Sequence, residues 1–138
     1  MMKLSNLLRD YESFHRTRGN HLCHYIGIPM IAVAVLGGLA HWRFAGVDLG
    51  LLYWAAFSAV VFALDWRVGI SFNLATLGLY FISRQIPLSS AIVLFVVGWI
   101  LQLLGHSKYE KNRPALLTNF THFVVGPIWV FLRSVKSK

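Results

Sequence analysis

Histidine is the residue type in this 138-residue chain that is best suited to chemistry, because its imidazole is the commonest metal ligand in proteins. Three of the six histidines, His15, His21 and His24, lie close together near the start. His106 lies near the end, and Glu110 follows it by four residues, which on an α-helix places a carboxylate one turn from an imidazole. Two imidazoles and one carboxylate bind Fe(II) with adjacent positions left open, and zinc accepts the same ligand types. The spacing therefore indicates a transition-metal site without deciding the metal.

The elements that must position these residues are those of a membrane protein. The chain is 57% hydrophobic and only 13% charged, with a mean hydropathy of +0.59, whereas about a quarter of the residues in soluble domains are charged. Its length predicts a single domain over residues 1–138. The net charge of +8 comes from short clusters between apolar runs, which is typical of cations beside anionic headgroups. No nucleic-acid motif accompanies them, so membrane lipids rather than nucleic acid are the predicted partners.

Four apolar runs, at residues 24–40, 49–64, 68–82 and 88–105, predict four transmembrane helices in an all-α bundle. Before them, Leu4, Leu7 and Tyr11 recur at helical spacing and predict an amphipathic helix. Gly19 is the expected end of that helix, and Asn20 is the expected N-cap of the next. A fifth run, at residues 115–132, contains a Gly126-Pro127 break, so we expect a re-entrant or interfacial helix there.

The distribution of cations favours this topology. With four spans, all but two of the 13 Lys and Arg residues fall on one side, and Arg43 and Arg84 fall on the other. The positive-inside rule then places both termini in the cytoplasm. Five histidines lie on the cytoplasmic side and can converge, whereas His41 cannot. On a regular helix Gly98, Gln102, His106 and Glu110 would form one polar stripe, which in a membrane faces the bundle interior.

Two blocks of the sequence resemble a known family. The first is His15-x4-Asn20-x3-His24-x2-Gly27-x-Pro29. The second is Gly98-Trp99-x2-Gln102-x2-Gly105-His106-x2-Tyr109-Glu110-x2-Arg113-Pro114-Ala115-Leu116, followed by Asn119 and Gly126-Pro127. Together they are similar to the small membrane proteins related to the fungal endoplasmic-reticulum 2-hydroxy fatty acid dioxygenase of phytosphingosine breakdown.

The resemblance implies an enzyme of fatty acid α-oxidation. The expected reaction is Fe(II)-dependent and independent of 2-oxoglutarate, and converts a long-chain 2-hydroxy fatty acid and O2 into CO2 and the acid one carbon shorter. The implied location is a bacterial inner membrane or the endoplasmic reticulum, with the active site on the cytoplasmic side. A homo-oligomer is compatible with the sequence.

The resemblance also implies roles for particular residues. His24, His106 and Glu110 are the predicted catalytic residues. Arg113, Asn20 and Asn119 are the predicted substrate-binding residues, since a planar guanidinium matches a carboxylate with two donors. The predicted metal ligands are His15, His24, His106, Glu110 and His122, although His21 and His122 depart from the fungal pattern.

Two other functions fit the same residues. A zinc-dependent membrane lipid hydrolase would use the same ligands with a metal-activated water. A non-enzymatic scaffold or lipid-binding protein would need the apolar bundle but not the clustered polar residues. Metal content separates the scaffold from both enzymes, and oxygen consumption separates the dioxygenase from the hydrolase.

Overall fold

The structure is a computed structural model and describes residues 3–111 and 120–136. Most of these residues lie in α-helices: α1 (Leu4–Ser13), α2 (Arg18–Leu39), α3 (Leu49–Leu64), α4 (Trp66–Ser83), α5 (Leu88–Leu104) and α6 (Thr121–Lys136). A π-helix (Gly105–Glu110) continues α5, and two short strands, β1 (Arg43–Phe44) and β2 (Val47–Asp48), form a hairpin before α3. The predicted all-α class is confirmed.

The four predicted apolar runs correspond to α2, α3, α4 and α5. By length and composition, two helical stretches are able to cross a membrane, Arg18–Leu39 and Leu88–Glu110. Helix α3 is apolar but shorter, and α4 is not among the long apolar helices found in the described part of the chain. Four membrane spans therefore remain a prediction.

The helices group into two compact units. The first unit comprises Met1–Pro29 and Val97–Lys138, and so contains α1, the first part of α2, the end of α5 with the π-helix, and α6. The second unit, Met30–Val96, contains the hairpin, α3, α4 and the remaining parts of α2 and α5. The predicted metal ligands all belong to the first unit.

Two aspartates in the second unit cap the N-termini of α3 and α4. Asp48 accepts a hydrogen bond from the Leu51 amide at 2.8 Å, and Asp65 caps α4 in the same way. These side chains satisfy amides that have no partner within the helix. The turn between β1 and β2 has positive φ at Ala45 (50°) and Gly46 (84°), as a tight two-residue hairpin requires.

In the second unit, polar side chains form hydrogen bonds between α3 and α4, and many large apolar side chains are exposed. Between α3 and α4, Trp54 Nε1 donates to Thr76 Oγ1 at 3.2 Å and Asn73 Nδ2 donates to the Ser58 carbonyl at 3.2 Å. Large apolar side chains on α3, α4 and α5 are exposed, among them Phe62, Leu74, Phe81, Val93 and Phe95. On soluble monomers, large exposed apolar patches mark sites of contact with another protein or a membrane.

In the first unit, the amphipathic helix forms as predicted but ends earlier. Leu4, Leu7 and Tyr11 are buried on one face of α1, which packs against α6. The helix ends at Ser13 and not at Gly19, and α2 begins at Arg18. The predicted N-cap at Asn20 is therefore wrong. Asn20 lies inside α2, and its backbone amide donates to Thr17 Oγ1 at 3.3 Å, so that Thr17 caps the helix.

The Gly126-Pro127 pair does not break the last helix. Pro127 lies inside α6, so the expected break in the fifth apolar run is wrong, and the beginning of that run lies outside the described residues. Gly126 serves close packing, because a Cβ there would come within 3.2 Å of both the Tyr11 hydroxyl and the Ile28 side chain.

The π-helix changes the spacing expected at the end of the fourth run. The sequence predicted a regular helix that stacks His106 and Glu110 one turn apart, but residues from Gly105 onwards follow the wider i to i+5 pattern. Lys111 ends this turn with φ 54°, and its amide donates to the His106 carbonyl. The predicted stacking of Glu110 on His106 is therefore wrong, and the Glu110 carboxylate instead meets the backbone amides of Arg16 and Thr17.

Candidate metal centre

Three histidines form a buried group in the first unit. His15, His24 and His106 are each at most 4% exposed, and one ligand atom from each lies within 4.8 Å of the other two. His15 comes from the connection between α1 and α2, His24 from α2 and His106 from the π-helix. Three separate segments thus bring their imidazoles to one point, which is an arrangement that can bind a metal ion.

Backbone carbonyls fix the orientation of two of these rings. His15 Nδ1 lies 2.6 Å from the Tyr11 carbonyl oxygen, and His24 Nδ1 lies 2.9 Å from the Asn20 carbonyl oxygen. A carbonyl only accepts, so each Nδ1 must carry the hydrogen and each neutral ring has its lone pair on Nε2. Hydrogen bonds of this kind orient metal-bound imidazoles in known sites.

The facing nitrogens fit a metal ion better than they fit each other. His15 Nε2 and His24 Nε2 are 3.1 Å apart. With both Nδ1 atoms protonated, this contact joins two lone pairs and no hydrogen. Two imidazoles on one ion at about 2.0–2.1 Å would have nitrogens roughly 3 Å apart. A shared cation would therefore remove the repulsion, and the residues present fit a metal.

The third imidazole also has an unused nitrogen. His106 Nδ1 is buried and makes no hydrogen bond to any residue that the structure describes. A buried polar atom without a partner costs about 1–3 kcal/mol. The unpaired nitrogen of His106 is consistent with a site that takes up a metal ion or a bound molecule.

Burial keeps the His15 ring neutral. Desolvation lowers the pKa of His15 to about 4, against the opposing effect of its hydrogen bond to the Tyr11 carbonyl. The ring of Tyr11 stacks on His15 with centroids 3.9 Å apart. A neutral imidazole at physiological pH has the lone pair that a metal ligand needs.

Small residues allow the helices that carry His24 and His106 to approach closely. A Cβ on Gly27 would overlap the Gln102 amide, and one on Gly105 would overlap the Asn20 amide. Both positions lie within a turn of the site histidines. Glycine at these two positions therefore allows the close approach.

Glu110 binds the start of α2. Its Oε1 accepts hydrogen bonds from the Arg16 amide (2.6 Å), the Thr17 amide (2.8 Å), Thr17 Oγ1 (3.1 Å) and Asn20 Nδ2 (3.1 Å). The carboxylate thereby joins the π-helix to the segment that carries His15 and to the helix that carries His24. It is not a member of the buried group of three histidines.

Comparison with known proteins identifies the family. A profile of the family described as 2-hydroxy-palmitic acid dioxygenase Mpo1-like matches residues 1–137. The chain belongs to the Mpo1-like family. It is similar to the 2-hydroxy-palmitic acid dioxygenase MPO1 of Saccharomyces cerevisiae, with 28% identity over 136 residues, which cover 94% of this chain and 78% of the yeast protein. No solved structure matches the chain.

The predicted resemblance to dioxygenases of 2-hydroxy fatty acids is therefore confirmed. The match extends over α1 and α6 as well as the apolar helices, so the family covers every element of the first unit. This Mpo1-like chain accordingly has a 2-hydroxy fatty acid dioxygenase as a relative, and a buried three-histidine group that can bind a metal.

The other histidines of this Mpo1-like chain have partners of their own. His122 Nε2 lies 2.7 Å from Asp10 Oδ2, and His21 Nε2 lies 2.8 Å from the His15 carbonyl oxygen. His41, in the second unit, lies 3.1 Å from the Ile86 carbonyl oxygen through its Nε2. The described group of three contains none of them.

Two of the predicted substrate-binding residues, Arg113 and Asn119, lie outside the described residues. The third, Asn20, is fully buried, and its amide nitrogen donates to Glu110. In this structure Asn20 therefore serves the contact between α2 and the π-helix.

The contacts that hold α1 against α6 were not predicted from the sequence. Glu12 Oε1 accepts from Trp129 Nε1 at 3.1 Å and from Arg133 at 2.8 Å, and the Arg133 hydrogen bond lowers the pKa of Glu12. The signal in the sequence was weak, since Glu12 lies off the apolar stripe and reads as a solvated charge. These contacts join α1 to α6.

Proposed function

We propose that this Mpo1-like chain is an Fe(II)-dependent dioxygenase that shortens a long-chain 2-hydroxy fatty acid by one carbon. In the proposed reaction, R-CH(OH)-COOH and O2 give R-COOH, CO2 and H2O, and no 2-oxoglutarate is consumed. The observation that carries the proposal is the buried group of three histidines in a member of this family. Bound iron would supply the redox chemistry needed to react with O2, which amino-acid side chains alone do not provide.

His15, His24 and His106 are the proposed metal ligands. Imidazole nitrogens suit iron, and three protein ligands would leave positions for the substrate and O2. His24 and His106 remain the proposed catalytic residues. We assign Glu110 a positioning role, because its Oε1 already accepts four hydrogen bonds.

The remaining predicted site residues are proposed to act outside this ligand set. Arg113 follows the π-helix by three residues in the sequence, and we propose that it pairs with the substrate carboxylate through two donors. Asn119 is proposed to contribute a polar contact to the same head group. Asn20 supports the site through Glu110.

The reaction is tested with detergent-purified protein loaded anaerobically with Fe(II). Addition of 2-hydroxy-palmitic acid and oxygen should consume O2 and yield the acid one carbon shorter, without 2-oxoglutarate. Palmitic acid should be inert because it lacks the hydroxyl. Zinc-loaded protein should consume no oxygen, since zinc has no redox chemistry.

Two results would reject the dioxygenase. The first is that iron-loaded protein consumes no oxygen with any long-chain 2-hydroxy acid. The second is that the zinc-loaded protein hydrolyses a lipid ester while the iron-loaded protein leaves 2-hydroxy acids unchanged. That result would favour a zinc hydrolase with the same ligands.

We further propose that the protein spans a membrane four times, with both termini and the metal centre on the cytoplasmic side and α6 not crossing. Two long apolar helices, the exposed apolar side chains and the cation distribution support this topology. Whether the membrane is a bacterial inner membrane or the endoplasmic reticulum depends on the source. Homo-oligomers are compatible with the proposal.

Single-cysteine labelling tests the topology in a Cys23→Ser background. An impermeant maleimide added outside intact cells should label Gly46→Cys, because the turn between β1 and β2 is proposed to lie on the far side from the cytoplasm. Ser137→Cys should react only after permeabilisation. Labelling of Ser137→Cys without permeabilisation would contradict the topology.

A further inference from the structure

A fourth buried histidine of the first unit is oriented by a carboxylate, and its other ring nitrogen has no hydrogen-bond partner among the described residues. His122 is 5% exposed, and its Nε2 lies 2.7 Å from Asp10 Oδ2. Its Nδ1 is buried and makes no hydrogen bond to any described residue. In His15 and His24 it is Nδ1 that is held by the protein, whereas in His122 it is Nε2.

The hydrogen bond to Asp10 decides what the spare nitrogen can do. A carboxylate accepts, so His122 Nε2 carries the hydrogen, and Nδ1 of the neutral ring has a lone pair. His122 therefore presents a buried hydrogen-bond acceptor. Such an atom is costly unless a donor reaches it, and none of the described residues supplies that donor, so a bound molecule or water can.

His122 is separated from the metal centre by a single aromatic ring. Tyr11 stacks on His15, with centroids 3.9 Å apart, and its ring also meets His122 edge-on at 5.3 Å. The ring of Phe14 also packs against His122, with centroids 5.4 Å apart. His122 Nδ1 therefore lies among aromatic rings, where low polarity strengthens a hydrogen bond. Asp10 and His122 thus form a hydrogen-bonded pair beside the three-histidine group.

The chemistry of the proposed substrate supplies one suitable donor. At neutral pH the carboxylate of a fatty acid only accepts hydrogen bonds, and its alkyl chain has no polar atom. A 2-hydroxy fatty acid differs by one O–H group, which is its only hydrogen-bond donor. An acceptor within reach of the head group would therefore distinguish a 2-hydroxy acid from the plain acid.

We propose that His122 Nδ1, held by Asp10, accepts the hydrogen bond of the substrate's 2-hydroxyl group and so selects 2-hydroxy acids over unhydroxylated acids. This inference rests on the proposed function, and it assigns His122 to substrate recognition and not to metal binding. Asp10 acts as a positioning residue through His122.

The experiment measures discrimination without turnover. Full-length zinc-loaded protein in detergent is titrated with 2-hydroxy-palmitic acid, palmitic acid and 2-methoxy-palmitic acid, which keeps the oxygen but has no O–H donor. Zinc keeps any contribution of metal chelation constant between variants. The variants are His122→Phe, which removes both nitrogens, and Asp10→Ala, which leaves the ring in place. Arg133→Ala is the matched control, since it removes another contact between α1 and α6.

In His122→Phe, the preference for the 2-hydroxy acid over each of the other two acids should fall by about tenfold, the usual worth of one buried hydrogen bond. Asp10→Ala should lose part of that preference, and Arg133→Ala should keep it. Metal content should equal that of the wild-type protein in all three variants.

Two outcomes would overturn the proposal. An unchanged preference in both His122→Phe and Asp10→Ala would mean that the metal alone recognises the hydroxyl. Loss of bound metal from folded His122→Phe, with metal retained by Arg133→Ala, would make His122 a ligand. If the wild-type protein binds no 2-hydroxy acid at all, the proposed function fails and this inference fails with it, which is a different result from an unchanged preference.

Discussion

Replacement of His24 or His106 by alanine is expected to remove nearly all bound metal and to lower dioxygenase activity by at least about a hundredfold. Metal sites gain their affinity from several ligands at once, so the loss of one firm ligand weakens the whole site. The structure supports the choice, because both side chains are buried and share a ligand-atom spacing of at most 4.8 Å with His15. Metal content per chain, measured by mass spectrometry after anaerobic purification, gives the answer directly.

His41→Ala is the matched control for this prediction. It removes an imidazole from the same chain, but His41 belongs to the second unit, where its ring lies next to the Ile86 carbonyl. Its metal content should equal that of the wild-type protein. Full metal occupancy in both His24→Ala and His106→Ala, with an intact fold by circular dichroism, would exclude the proposed centre.

Hydropathy and periodicity were sufficient to predict most helices. Burial of Leu4, Leu7 and Tyr11 on α1 follows from their spacing, and the four apolar runs coincide with α2 to α5. Helix ends were less accessible, because they depend on single side chains. Thr17 caps α2 three residues earlier than the predicted Asn20, and this leaves residues 14–17 free to carry His15 to the other histidines.

The predicted topology placed five histidines on one side of the membrane, and three of them, His15, His24 and His106, do converge. The environment of Glu110 could not be predicted. A sequence gives the i to i+4 spacing of a regular helix, but the π-helix at Gly105–Glu110 is a local departure that periodicity does not encode. The donors that Glu110 meets include two backbone amides, at Arg16 and Thr17, which have no signature in the side-chain pattern.

The same reasoning explains why the α1–α6 contacts were missed. Glu12 and Asp10 lie on the polar side of an amphipathic helix, where charged side chains are usually solvated. Their partners, Trp129 and His122, lie more than 100 residues away in the sequence. These charged side chains meet their partners only because α1 packs on α6.

Removal of the Glu110 carboxylate should weaken metal binding about 10- to 100-fold, although Glu110 is not a member of the three-histidine group. In Glu110→Ala, the amides of Arg16 and Thr17 and the Asn20 side chain lose their shared acceptor. The segment that carries His15 and the first turn of α2 would then be less firmly held to the π-helix. Metal affinity, measured by competition with a chelator, should fall while the fold is retained.

Glu110→Gln separates a positioning role from a ligand role. The glutamine amide oxygen can accept the same hydrogen bonds, so this variant should recover most of the affinity that Glu110→Ala loses. The visible spectrum of the cobalt-loaded protein provides a readout that reports the ligands themselves. If Glu110 acts only through Arg16, Thr17 and Asn20, the wild-type and Glu110→Gln spectra should coincide, because the same imidazoles surround the ion. A changed spectrum in Glu110→Gln would show that the carboxylate binds the metal, and the positioning role assigned here would then be wrong.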